Sequence, residues 1–112
     1  MFFNRQRKLL EDIIASAELL GLPKADILIA KEFLDYNEKG LCLDHVITQL
    51  HEYEVEVTPS FINLVGKAAE QMLMSADSYS YLKELIRPDG GVPDSIVLEI
   101  DNILKRHSSW IF

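Results

Sequence analysis

The stretch from Asp35 to Val57, DYNEKGLCLDHVITQLHEYEVEV, constrains the fold more than any other part of the chain. Within it Leu43, Val46, Ile47 and Leu50 recur at i, i+3, i+4 and i+7, the spacing of one helical face. Asp44, Thr48, His51 and Glu52 fall on the opposite face, and Asp35, Glu38, Glu54 and Glu56 flank the helix. A helix divided in this way has to bury its apolar stripe against other helices, while its polar side stays in water or meets a partner.

The flanking sequence supplies those other helices. A first helix is expected over about Asn4 to Leu20, with Leu10, Ile13, Ile14, Ala17 and Leu20 as its stripe and Gly21 as its stop. Arg5, Arg7 and Lys8 sit in its first turn, the unfavourable end of the helix dipole, and could be a solvated terminus or a docking point for an acidic surface. Pro23 opens a second helix that runs to about Asn37. Its Ile27, Leu28, Ala30, Phe33 and Leu34 cover a wide arc, so it should be the most buried, with Asp26, Glu32, Asp35 and Tyr36 on its exposed strip. Gly40 is expected to take the left-handed position of the turn into a third helix, Leu41 to about Tyr53.

Glu54-Val55-Glu56-Val57 alternates charge and β-branched residues, but the chain offers no strand to pair with it, so it reads as an extended connector. Thr58-Pro59 is an N-cap followed by an N1 proline and starts a fourth helix, to about Met74, with Phe61, Leu64, Val65, Ala68, Met72 and Leu73 inward. A short fifth helix spans about Tyr79 to Ile86, and Arg87-Pro88-Asp89-Gly90-Gly91 is a turn. Pro93 opens the sixth helix, with Ile96, Val97, Ile100, Ile103 and Leu104 inward. The apolar tail Ser108-Ser109-Trp110-Ile111-Phe112 could dock back on the domain, make a dimer contact or anchor a partner. The expectation is an all-α fold: a compact bundle of about six short helices, mostly antiparallel neighbours, in one domain over residues 1–112.

Charge narrows the function. The net charge is −7, which argues against nucleic acid or an anionic membrane as partner and is compatible with a basic protein. Residues 1–25 hold four bases and three acids, residues 26–56 two bases and eight acids, and residues 57–112 five bases and seven acids. Most of the negative charge is therefore concentrated in the second and third helices and the run after them. Such a concentration is either a solvated face or a binding face. A single cysteine, Cys42, excludes an intrachain disulfide and suits a reducing compartment. Glu11, Asp12 and Glu18 interrupt any signal-peptide core, and no apolar run approaches a membrane span, so a cytoplasmic location is expected.

Enzyme motifs are weak. Cys42 and His45 are i, i+3, without a third orienting group. His51-Glu52 begins H-E-x-x-H, but Val55 stands where the second histidine is needed. Cys42, His45, His51 and His107 lack zinc spacing, and the acids lack a calcium loop. Neither catalytic residues, metal ligands nor a cofactor are expected.

The run Leu34-Asp35-Tyr36-Asn37-Glu38-Lys39-Gly40-Leu41-Cys42-Leu43-Asp44-His45, then Gln49-Leu50-His51-Glu52-Tyr53 and Val57-Thr58-Pro59, resembles the MafI/CdiI-type immunity proteins of bacterial polymorphic-toxin (contact-dependent growth inhibition) systems. That pattern is an N-E-x-G-L-A-L-type turn into a helix ending Q-L-x-E, followed by a T-P or S-P helix start. The likeness covers about Ile27 to Ile86, and Cys42 departs from it where a small residue such as alanine is usual. The resemblance implies a cytoplasmic antidote that binds one cognate secreted toxin domain in a one-to-one complex and blocks its active site. Such toxins are commonly basic nucleases, ribonucleases above all. Charge placement and helix phase, rather than the motif, nominate the contacts: Asp35, Tyr36, Glu38, Asp44, Glu52, Tyr53, Glu54 and Glu56. The acids would meet Lys, Arg or His of the toxin, and the tyrosines would supply rigid contact area. The alternative reading is a helical adaptor or regulatory module that binds another basic protein.

Overall fold

Apolar periodicity at Leu9, Leu10, Ile13, Ile14 and Ala17 makes the first helix the centre of the molecule, and all of these residues are buried. The computed structural model describes residues 2–108, with side chains from residue 5 onward. The tail from residue 109, and with it the docking expectation, lies outside the described residues. The α-helices are α1 (Phe2–Leu20), α2 (Lys24–Asp35), α3 (Lys39–Glu52), α4 (Pro59–Gln71) and α5 (Asp94–Ser108). Two short 3₁₀ segments, Ala76–Ser78 and Ser80–Leu85, lie between α4 and α5. No strand occurs among the described residues. α1 packs against each of the other four α-helices, and the buried apolar side chains form one continuous core. The architecture is the expected all-helical bundle.

Local chemistry explains the helix ends. The Thr58 hydroxyl accepts a hydrogen bond from the Phe61 N–H at 3.2 Å, so the predicted N-cap of α4 forms with Pro59 behind it. At the end of α2 the Glu38 N–H donates to the Phe33 carbonyl and the Asn37 N–H to that of Leu34, a Schellman closure. Its left-handed residue is Asn37, at φ 58°, and Gly40 lies inside α3. The closure places the reversal three residues earlier than the glycine suggested, and asparagine tolerates that conformation. α3 and α4 end in the same way, with Glu54 and Leu73 as the left-handed residues. Of the Glu54–Val57 run, expected as an extended connector, Glu54 belongs to the left-handed closing turn of α3, and only Val55 to Val57 make the irregular connector. Val57 is buried, and its N–H donates to the Leu85 carbonyl at 3.1 Å.

Three expectations are corrected. α2 does not bury its widest arc: Leu28 and Ile29 are exposed, whereas Asp26, expected on the surface, is inside. The reason is a set of polar partners for Asp26 on α3, described below. The fifth helix is 3₁₀, because a six-residue segment closes too few i to i+4 bonds to hold α-helical geometry. Leu73, expected inward, is 93% exposed, since α4 stops at Gln71 and its closing turn points this side chain away.

Two substitutions test this account. Leu50 is wholly buried, so Leu50→Ala should lower unfolding free energy by about 2–5 kcal/mol in a denaturant titration. Leu73→Gly relieves a left-handed backbone and sacrifices no packing, so it should leave stability unchanged or raise it by no more than about 1 kcal/mol. A clear loss at Leu73 would mean that the side chain packs after all.

Candidate partner-binding site

The acidic segment forms the α2–α3 hairpin, and one buried carboxylate holds that hairpin together. Asp26 on α2 accepts from His45 Nε2 at 3.0 Å and from Gln49 Nε2 at 3.0 Å, both on α3. His45 also meets the Phe33 ring, with centroids 6.1 Å apart. Burying a carboxylate is costly unless it is hydrogen-bonded, and two side-chain donors meet that need here. The i, i+4 spacing of His45 and Gln49 aims both donors from one face of α3.

A second tie comes from the basic start of α1. Arg7 Nη1 donates to the Leu34 carbonyl at 3.1 Å, while Nη2 pairs with Asp35 at 3.1 Å and Nε with Glu11 at 3.3 Å. The base that stands at the wrong end of its own helix thus caps the negative end of α2. Lys8 pairs with Asp12 at 3.2 Å, and His107 of α5 donates to the same buried carboxylate at 2.7 Å. The first turns of α1 are therefore tied into the bundle.

The nominated contacts form a ridge rather than a compact spot. Tyr36 and Glu38 stand at the hairpin turn, and both are exposed, Tyr36 by 74%. Glu52, Tyr53 and Glu54 stand exposed at the far end of α3. α3 has 14 residues, so these two groups are separated by about 20 Å. Asp44 lies midway on the exposed strip that also carries Leu41, Thr48 and Glu52. Glu32, Glu38, Asp44, Glu52 and Glu54 make no ion pair among the described residues.

Two of the nominated acids are engaged within the fold. Asp35 is paired with Arg7. Glu56 is half-buried, and its carboxylate oxygens accept from the Gly91 N–H at 2.9 and 3.1 Å, pinning the loop before α5. Its role is to hold that loop rather than to face outward, which a linear sequence cannot disclose because its partner is 35 residues away.

Sequence reasoning also missed neighbours. Glu52 and Glu54 line a cleft of about 500 Å³ together with His51, Glu84, Leu85 and Arg87. His51 contacts Glu84 at 3.3 Å and meets the Tyr81 ring edge-on, which brings the 3₁₀ segment to the end of α3. The exposed apolar residues Ile29 and Leu41 were missed as well. Leu41 carried a signal, since it falls outside the Leu43–Leu50 stripe.

Cys42 is wholly buried, and burial pushes its thiol up to about 11 despite the opposing influence of Arg7. It is a protonated core side chain at neutral pH, not a nucleophile. Among the described residues no group of three or more His, Cys, Asp or Glu could hold a metal ion. No described helix is long and apolar enough to cross a membrane.

No family model matches the chain, and neither a curated protein nor a solved structure is significantly similar to it.

The Cys42 environment has a measurable consequence. The folded thiol keeps its proton up to about pH 11, whereas in the unfolded chain it ionises near 9.0. The unfolded state alone loses that proton in this window, so Cys42's contribution to stability is full below pH 9.0 and declines toward pH 11. Comparing wild-type chain with Cys42→Ala across this range should show a steeper alkaline loss for the wild type. Parallel curves would remove the assignment.

Proposed function

We propose that this protein is an antidote: it binds a basic toxin domain, most simply a nuclease and foremost a ribonuclease, in a one-to-one complex in the cytoplasm, and blocks the toxin's active site. The observation that carries this reading is the unpaired acidic ridge of the α2–α3 hairpin. Residues 26–56 have a net charge of −6, and Glu32, Glu38, Asp44, Glu52 and Glu54 stand exposed with no ion pair among the described residues. Carboxylates spaced along a helical ridge can occupy a groove whose Lys and Arg side chains would otherwise hold phosphates. Long-range attraction would speed encounter, and a few desolvated contacts would slow release. The resemblance of the Leu34–Pro59 run to immunity proteins supports the same reading.

The experiment is co-expression with the C-terminal domain of the neighbouring gene's product, which this reading requires to be a large secreted protein; a neighbour of any other kind counts against it. A stable one-to-one complex and rescue of growth are expected, and a toxin that neither binds nor is neutralised overturns the reading. Within the complex, the triple replacement Glu38→Lys, Asp44→Lys, Glu52→Lys should slow association at low salt by about tenfold or more and flatten its salt dependence. An unchanged on-rate would mean that the ridge is only a solvated surface.

A further inference from the structure

The α2–α3 pair leaves an apolar strip along its outer seam. Asp26 and Phe33 of α2 face His45 and Gln49 of α3, which defines the two flanks that meet. On α2 the same flank, by the helical spacing i, i+3 and i+7, carries Ile29 beside Asp26 and Phe33, and Tyr36 at the C-cap follows in the same row. On α3 the i, i+4, i+8 row that contains His45 and Gln49 begins at Leu41. Ile29 is 41% exposed, Leu41 52% and Tyr36 74%, and Phe33 is half-buried between them. Ile29, Tyr36 and Leu41 stand in solvent while Phe33 packs partly buried against the core, so helical spacing sets them along one shallow apolar line beside the Asp26 clasp. Glu32 on α2, Glu38 at the hairpin turn and Asp44 on α3 stand exposed.

We propose that this seam is the centre of the binding face, and that it receives a basic amphipathic segment of a protein partner. Apolar side chains of that segment seat over Ile29, Phe33, Tyr36 and Leu41, and its lysines or arginines meet Glu32, Glu38 and Asp44. The proposal rests on the reading of a basic partner above and adds where the partner sits and what anchors it. Charge selects this occupant. A second copy of the chain would bring its own net −6 segment against the first, and nucleic acid or anionic lipid would be repelled by the same acids. A basic helix with apolar residues at i, i+3, i+4 and i+7 satisfies both the line and its rim. The Glu52–Glu54 end, about 20 Å from the hairpin turn, would then steer the partner rather than anchor it.

The probes are a labelled Leu/Lys peptide with leucines at i, i+3, i+4 and i+7, and a scrambled peptide of equal composition. The amphipathic peptide should bind at least about tenfold tighter than the scrambled one, and nuclear magnetic resonance shift changes in the unaltered chain should centre on the α2–α3 seam. The double variant Ile29→Ser, Leu41→Ser should lose that advantage while keeping its circular dichroism melt, and Glu54→Gln should retain it. Equal binding of the two peptides, no binding, or shifts centred on Glu52–Glu54 overturn the proposal. So does a concentration-dependent dimer that the double variant abolishes, because it makes a second copy the occupant. With the toxin domain the two claims separate. A toxin bound and neutralised equally well by the double variant removes the seam and leaves the antidote reading. A seam that binds the peptide selectively, while the neighbouring domain does not bind at all, removes the antidote reading and leaves the seam.

Discussion

The buried Asp26 carboxylate ties α2 to α3 and so fixes the hairpin that carries the acidic ridge. Helix α2 contains enough apolar residues to turn several different faces inward. It turns inward the face that also brings Asp26 to His45 and Gln49, where the carboxylate finds two donors on α3. This choice buries Ile27, Ala30 and Leu34 and leaves Leu28 and Ile29 in solvent. The polar contact and the burial of Ile27, Ala30 and Leu34 thus agree on one phase for α2, and that phase leaves Leu28 and Ile29 exposed.

The rest of the bundle supports this hairpin from below. Arg7 reaches from α1 to the last turn of α2, where it meets both the Leu34 carbonyl and the Asp35 carboxylate. α1 in turn is held to α5 through Asp12 and His107. Ser60 at the start of α4 donates to Asp101 on α5, and Glu56 secures the loop that precedes α5. The acids consequently divide into two kinds. Asp12, Asp26, Asp35, Glu56 and Asp101 hold elements together, while Glu32, Glu38, Asp44, Glu52 and Glu54 make no ion pair among the described residues. Net charge alone does not make that division, since both kinds add equally to the total.

Helix existence was legible because each helix carries its own apolar period and its own stop. Leu43, Val46, Ile47 and Leu50 are wholly buried, as their spacing required, and Thr58 caps α4 with the side chain that its position promised. Helix phase was less legible where apolar residues exceed what one face can hold. Leu28 and Leu73 were expected inward for that reason, and both are exposed. The exposure of the nominated residues was legible at Tyr36, Glu38, Asp44, Glu52, Tyr53 and Glu54, but not the internal contacts of Asp35 and Glu56 or the exposure of Ile29. Glu84, Arg87 and the Gly91 backbone enter the surroundings of the ridge from segments remote in sequence.

The sequence by itself determined that the chain is helical, where most helices begin and end, and that residues 26–56 carry the charge. These are local properties: periodicity, capping and composition act over a few residues. The tertiary structure alone decided which acids are spent on internal contacts, which apolar side chains reach the surface, and that Tyr36 and Glu54 stand at opposite ends of one ridge. Those outcomes depend on which donor meets which acceptor across helices, and such pairings arise only when the whole bundle has packed.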